Sequence, residues 1–455
     1  MTDYVIVGGG PTGLTLALYL SNMGKKCTLI DKNSSLGGCH RVTRVDGLFT
    51  EHGPRVYSSA YRNFINILDM LGTTWEDMFV PYKFNIGSIQ GETLEHFSLS
   101  EKTSIVFEYL VLLMTGRYDK KKTVRQFAEQ HNFSKDSMDY MDRLCRLTDG
   151  GGDDKYTMYQ FLQLGNQNFF YKLYQPSKPN DEALFKIWED KLIKNEVNIL
   201  KSTNVISFQE KDGVYNVVTD KGVITGSRLV LCIPPNHFSN MTSGMQSWAE
   251  KNSYITDIPI SFHWNAKLSL PKVWGFPKTD WGLAFIVVSD YMNADNNDGT
   301  VISTCSTFQD RKSSFTGKSV NESSQEEFKR EMFRQLKISF PDLPMFDRQI
   351  IHPSVSRKDD KWIEDDSAFM GLDYISPRLS KNLWYVGTQN GRSYYNFTSM
   401  ESAVTNALFA LNEMEGVNLK IEAPWELIVF LQIVLLSIVG IVILIIIVNA
   451  MREAY

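Results

Sequence analysis

The hydrophobic pattern opens with Tyr4-Val5-Ile6-Val7, an unbroken apolar run of the kind found in a strand buried on both faces. Gly8-Gly9-Gly10-Pro11-Thr12-Gly13 follows at once, and apolar positions then recur at helical spacing (Leu14, Leu16, Ala17, Leu20) from Leu14 to Met23. Gly24 stands where a helix ends. A second apolar run, Cys27-Thr28-Leu29-Ile30, ends in Asp31. Strand, helix and strand in this order predict a βαβ unit. Further along, 204–208, 213–219 and 229–235 read as three strands separated by Asp212-Gly213 and Lys221-Gly222 turns. Asn382 to Val386 reads as a strand leading to Gly387, and a helix is expected to start within 395–404 and run through Leu411.

The middle of the chain is patterned differently. Lys122 to Leu147 predicts one helix, with Phe127, Met138, Met141 and Leu144 on one face, and 148–154 is a loop. Ile105 to Met114 is an apolar helical stretch too short to cross a bilayer. Two readings of it stand: a core helix, or the lining of a lipophilic entrance facing a membrane. Leu427 to Val448 is different again, with 22 residues free of charge and no polar face. That length matches the roughly 20 residues needed to cross a bilayer. A single-pass tail anchor is expected. With a strand beginning at residue 4, no signal peptide is expected, which leaves the rest of the chain facing the cytosol.

The glycines carry the first chemistry. In G-x-G-x-x-G after a strand, Gly8 makes the tight turn and Gly10 lets backbone approach a pyrophosphate; Gly13 lets helix and strand pack closely. Pro11 and Thr12 open the helix, whose N-terminal N–H groups and dipole face the phosphates. Asp31 lies about 20 residues on, where a carboxylate holds ribose hydroxyls and disfavours a 2′-phosphate; Lys32 follows it. Two more glycine segments come next, Leu36-Gly37-Gly38-Cys39-His40-Arg41 and Glu51-His52-Gly53-Pro54-Arg55.

This combination resembles the flavin-containing amine oxidase superfamily, which includes phytoene desaturases, protoporphyrinogen oxidases and UDP-galactopyranose mutases. The resemblance implies bound FAD. It implies that Gly37, Gly38, Gly53 and Pro54 lie close to pyrophosphate and isoalloxazine, that Arg41 contacts phosphate, and that Val205 meets the adenine. Many relatives carry Arg directly after the glycine pair, whereas this chain has Cys39 there. Gly387 and the helix start at Met400 are implied to cap the flavin pyrimidine edge. The implied fold class is α/β. A Rossmann-type FAD-binding domain with a parallel sheet and β-meander (1–85, 196–240, 376–415) is interleaved with an α+β substrate domain (86–195, 241–375), followed by a transmembrane tail anchor at 427–448.

Bulk properties narrow this further. A chain of 455 residues accommodates two domains, and a net charge of −5 gives no reason to expect nucleic acid. Five cysteines form no C-x-x-C pair, which fits a reducing compartment without a disulfide framework. The sequons at Asn33, Asn132, Asn240, Asn321 and Asn396 read as chance occurrences. The seven histidines show no metal-ligand spacing, so no metal site is expected.

Catalysis is then expected to come mainly from the flavin, with three residues as candidates. Arg55 either balances reduced-flavin charge, holds an anionic substrate, or is structural; Lys267 holds a water near the flavin or is an exposed strand lysine. Tyr395, with Phe397, shapes the pocket or packs. Monoamine oxidases carry a cage Tyr where this chain has Ser399, and mutases an Asp, so neither specificity transfers directly. The leading expectation is a membrane-anchored, FAD-dependent oxidoreductase that takes hydride from a small molecule, for which the anchor suggests a lipophilic one, and passes electrons to oxygen or a quinone. A mutase-like flavin isomerase and a non-catalytic binding protein stand as alternatives.

Overall fold

A computed structural model of the chain describes every residue except 83–96, 117–118, 239–252, 255–256, 271–273, 276, 296–297, 365–368, 371–373 and 454–455. The expected junctions at 85–86 and 240–241, and Asn240, lie outside the described residues.

The centre is a mixed sheet. Strands β1 (Thr2–Val7) and β2 (Cys27–Ile30) pair in parallel from Tyr4↔Cys27 to Val7↔Ile30, and Asn198–Leu200 continues the sheet in parallel beyond β2. Every residue of β2 is buried, as its unbroken apolar run requires. Strand β3 (Gly222–Leu231) joins two kinds of sheet. Its first half pairs antiparallel with Val214–Thr219, which pairs in turn with Val205–Lys211. From Gly226 to Leu231 it runs parallel to β1, and Leu229–Leu231 also pairs in parallel with β4 (Leu383–Tyr385). The apolar pattern places this strand at 229–235, but it starts at Gly222. Its first residues, Gly222 and Val223, sit exposed in the meander and give no hydrophobic run to read.

Helix α1 (Pro11–Asn22) follows β1 and begins with Pro, whose fixed φ suits the first helical position. It lies so close to the preceding turn that a Cβ on Gly13 would sit 2.0 Å from the Gly8 carbonyl oxygen. Helices α4 (Leu184–Lys194) and α5 (Met400–Glu415) pack on it through Trp188, Leu192, Val404 and Leu408 in one core. Helix α5 starts at Met400, because the Ser399 side chain accepts from Ser402 N and fixes the cap there.

A five-stranded antiparallel sheet stands apart, in the order Trp274–Gly275, Leu283–Val287, Thr300–Ser306, Ile258–Trp264, Arg348–Ile351. The helix Gln325–Ser339 packs Phe328, Met332 and Leu336 into the same core. The single helix expected over 122–147 is two, Val124–Gln130 and Lys135–Asp149. Asn132 takes a left-handed conformation (φ +53°) and Ser134 caps the second helix, so the break has both a turn residue and a cap.

Helix α2 (Leu99–Thr115) contains the apolar stretch 105–114, and the core-helix reading of it holds for one face, where Leu112 enters the main core and Ile105, Tyr109 and Leu113 pack against it. Among its residues only Glu101 and Leu112 are buried, whereas Val106, Phe107, Leu110 and Met114 face outward. The C-terminal helix α6 (Leu427–Glu453) is seated at its foot. Glu426 accepts from Asn166 Nδ2 (3.1 Å) and Gln167 Nε2 (2.7 Å) of α3 (Met158–Asn168), and Ile428 is buried in the main core. From Val429 to Val448 its large apolar side chains are exposed, and over Leu427–Arg452 it is long and apolar enough to cross a membrane.

Candidate functional site

A cavity of about 420 Å³ opens at the carboxyl ends of four parallel strands. Val7 and Gly8 line it from β1, Ile30 and Asp31 from β2, Cys232 to Pro234 from β3, and Val386 and Gly387 from β4. This is where open α/β sheets bind ligands, because strand ends and helix starts leave backbone groups free there. Two helix N-termini point into it, α1 through Gly10, Pro11 and Thr12, and α5 through Thr398, Ser399 and Ala403. Both bring a positive dipole end to the same space.

One end of the cavity is built around a carboxylate. Asp31 is buried and accepts from Gly9 N and Asn33 N, each at 2.7 Å, which fixes it beside the glycine turn. Lys32, Thr203, Asn204 and Val205 complete this end. The second glycine segment is tied to the first by Gly37 N donating to Gly9 O (2.8 Å). Gly37 itself stands at φ +121°, with a Cβ there falling 2.5 Å from the Phe185 ring, so only glycine fits. Gly38 lines the cavity, with Cys39 and His40 beside it. Arg41 does not line it; its side chain is buried and Nε donates to Thr43 Oγ1 (3.4 Å). Met400 is likewise buried outside the lining.

The far end meets a smaller cavity of about 90 Å³, and Arg55 and Thr398 belong to both. Gly53 and Pro54 line this second space, together with Arg146, Asp257 and Cys305. Arg55 is the hinge between them. Its Nη2 donates to Cys39 O (2.6 Å) and lies 2.8 Å from His52 Nδ1. A guanidinium donates only, so Nδ1 accepts and the His52 proton sits on Nε2, against the Glu364 carboxylate. Burial opposes the Arg55 charge, but Cys39, Tyr57, Glu51 and Glu364 around it hold its pKa above the ordinary value. Burial, and then Arg55, drive the His52 pKa well below the ordinary imidazole value, which keeps that ring neutral.

Two carboxyls near Arg55 titrate close to neutrality. Burial pushes Asp257 up to about 7, with Arg55 and Arg146 pulling in the opposite direction. Glu51 is also pushed up to about 7 by burial, against a Ser303 hydrogen bond and the Arg55 charge. An acid poised at that pH beside an accessible cavity can take or give a proton at neutral pH. Sequence reading missed Asp257 and Arg146. Neither sits in a motif: Asp257 precedes the strand Ile258–Trp264, and Arg146 faces inward from the helix Lys135–Asp149.

The other two catalytic candidates are placed elsewhere. Lys267 is not on a strand. The strand ends at Trp264, where Asn265 N turns to bond Asp347 (2.7 Å), and Lys267 is exposed, donating to Ser289 O (2.7 Å). It lines neither cavity. Tyr395 is buried, its hydroxyl donates to Asn168 Oδ1 (3.0 Å), and its ring packs on Tyr61 and Phe397 at 5.3 and 4.9 Å. It borders a separate space of about 60 Å³ that shares Thr388, Gln389 and Thr398 with the large cavity. Among the described residues, no group of three or more His, Cys, Asp or Glu side chains is placed to hold a metal ion.

Residues 6–71 match the NAD(P)-binding Rossmann-like domain family. The chain is similar to the carotenoid 3,4-desaturase of Haloarcula japonica, 42% identical over 55 residues, or 12% of this chain and 11% of that protein. It is similar to the hydroxyneurosporene desaturase of Rubrivivax gelatinosus, 40% identical over 73 residues (16% and 14%). It is also similar to dihydrolipoyl dehydrogenase 1 of Arabidopsis thaliana, 38% identical over 65 residues (14% and 13%). The chain thus matches only 11–14% of the length of these curated relatives. Solved structures extend the likeness over the chain. A candidate protoporphyrinogen oxidase from Exiguobacterium sp. 255-15 superposes with a TM-score of 0.65 at 16% identity, covering 91% of this chain and 98% of that one. Putrescine oxidase bound to putrescine gives 0.64 at 12% identity, covering 91% and 99%. At these identities the likeness is one of fold.

Proposed function

We propose that this chain, which has the fold of the flavin-containing amine oxidase superfamily, holds FAD in the 420 Å³ cavity and works as a membrane-anchored oxidoreductase. The observation that carries the reading is the convergence of Asp31, the Gly8–Gly13 turn, and two helix N-termini on one space at the strand ends. Those groups match a dinucleotide chemically: a carboxylate for ribose hydroxyls, backbone N–H groups for pyrophosphate, and apolar walls from Val7, Ile30 and Val205. Bound FAD supplies hydride acceptance at its ring nitrogen.

The chain's own residues would do the rest. The α5 N-terminus and Arg55 favour negative charge at the far end of the cavity, and Arg55 is held there by Cys39 O and His52. The 90 Å³ space beyond it is the proposed substrate site, and Asp257 accepts the proton that a substrate gives up as it is oxidised. Helix α6 would cross a membrane with the remainder of the chain in the cytosol.

The visible absorbance of the full chain in detergent tests the cofactor. A two-banded flavin spectrum released by acid precipitation supports the reading; colourless protein that cannot be reconstituted with FAD overturns it. Anaerobic bleaching by candidate substrates then tests oxidoreductase chemistry. Turnover only on pre-reduced protein, with no net bleaching, would move the assignment to an isomerase. Resistance to alkaline carbonate extraction, with the chain before α6 digested by protease added outside intact organelles, tests the anchor and its orientation.

A further inference from the structure

Helix α2 is apolar on both faces. Its inner face packs Ile105, Tyr109, Leu112 and Leu113 on the main core and seats Glu101, which is 4% exposed and accepts from Ser98 N, Ser134 N and Ser137 Oγ. Its outward stripe is Leu99, Val106, Phe107, Leu110 and Met114, spaced for one helical face. Leu99 is 82% exposed, Phe107 60% and Met114 80%. Monomeric proteins rarely present such a stripe to water.

The surroundings of the stripe say what covers it. Gln432 Nε2 in the second turn of α6 donates to Leu113 O (2.7 Å), so α2 lies against the root of the long apolar helix. Phe430 of that helix meets Phe170 edge-on at 5.6 Å, and Phe169, Phe170 and Trp425 are exposed around it. Trp425 stands two residues before α6, where aromatic side chains gather at a membrane surface. Exposed Lys120, Lys121 and Lys172 follow the stripe and the Phe pair in sequence, and their long stems let ammonium groups reach headgroups while the apolar neighbours sit deeper.

We infer that the outer face of α2, with Phe169, Phe170 and Trp425, lies in the headgroup and upper acyl region of the bilayer that α6 crosses. This rests on the reading of α6 as a membrane span. An in-plane helix buries its apolar face a few ångströms below the headgroups, and here the helix that carries the face is hydrogen-bonded to the root of the span. The consequence is a fixed orientation: the chain is held against the membrane at two places rather than tethered at one.

Depth-dependent quenching of tryptophan tests this with the full chain in vesicles of phosphatidylcholine and phosphatidylserine. The acyl chains are brominated either near the headgroup or near the mid-plane. Three variants are compared with the parent: F107W in the stripe, I441W in the span, and M345W on the exposed far domain. The added emission of F107W should be lost to shallow bromines, that of I441W to deep ones, and that of M345W to neither. Quenching of I441W with F107W no more affected than M345W would overturn the inference and leave the span intact. An unquenched I441W would overturn the span and the inference with it. An F107W that is unquenched in a chain that crosslinks as a dimer through α2 would assign the stripe to a second copy, and the inference would fall.

Discussion

Glu401 shows how a single buried group ties the cap helix to the rest of the chain. It lies in the first turn of α5 and is 1% exposed, and its carboxylate accepts from Asn63 N, Phe64 N and Asn63 Nδ2. Burial outweighs those bonds and pushes its pKa up to about 7 from an ordinary 4.5. A raised carboxyl binds its proton more tightly folded than unfolded, so its contribution is full below pH 4.5 and is lost as the pH climbs through 7. Each pH unit in that window is worth about 1.4 kcal/mol, or about 3 kcal/mol over the whole of it. Glu401→Gln has no such proton to lose. The stability advantage of the parent over E401Q should therefore shrink between pH 5 and pH 8, read as denaturant midpoints at the two values. An advantage that stays constant with pH would mean the carboxylate is already ionised in the fold at low pH.

Asp31 makes the opposite case, a buried acid whose proposed role is to meet the ribose of FAD. Asp31→Asn keeps the size but removes the charge that backbone N–H groups of Gly9 and Asn33 orient. Hydrogen bonds to a charged partner contribute about 1.5–3 kcal/mol, so FAD should bind roughly ten- to a hundredfold more weakly, measured by flavin fluorescence on titration. Unchanged affinity would place the ribose elsewhere.

At the scale of elements, the start of α5 sets both packing and field. Ser399 and Ser402 form the cap: Ser402 N donates to Ser399 Oγ (3.1 Å), and Ser399 N to Ser402 Oγ (2.8 Å). Ser399→Ala should cost about 1 kcal/mol of stability in chemical denaturation, and by fraying the helix end should also loosen the cofactor. A variant as stable as the parent would show the cap to be redundant. Elements of this kind were legible wherever a local signal fixed them. The turn at Gly8–Gly13, the acid at the end of β2 and the long apolar tail each carry one residue type at one spacing. The break at Asn132–Ser134 was hidden because helical periodicity runs through it on both sides. Lys267 was misplaced because the alternation of apolar and polar residues (Trp264, Ala266, Leu268) continues after the strand has ended at Trp264. Of the cluster at the smaller cavity only Arg55 was legible, through the glycine segment it follows. Arg55, Arg146 and Asp257 come from a glycine segment, a helix and a strand start, and only the tertiary fold brings them to one cavity.

Across the whole molecule, the foot of α6 couples the long apolar helix to the folded body. Glu426 accepts from two α3 side chains, Asn166 Oδ1 accepts from Ile428 N (2.8 Å), and Ile428 is buried in the same core that holds α1 and α5. The helix is thus not an appended tail. A chain ending at Phe430 keeps all of these contacts and loses one bond to the body, from Gln432 to Leu113 O, whereas one ending at Trp425 also loses the carboxylate, the backbone bond and the buried Ile. Removing a buried Ile together with partners of two buried amides should cost about 3 kcal/mol or more. Both truncated chains should leave the membrane fraction, but only the shorter should show a clearly lowered denaturant midpoint. Equal midpoints would mean that the foot contributes nothing to the body, and that α6 is joined to it by the chain alone.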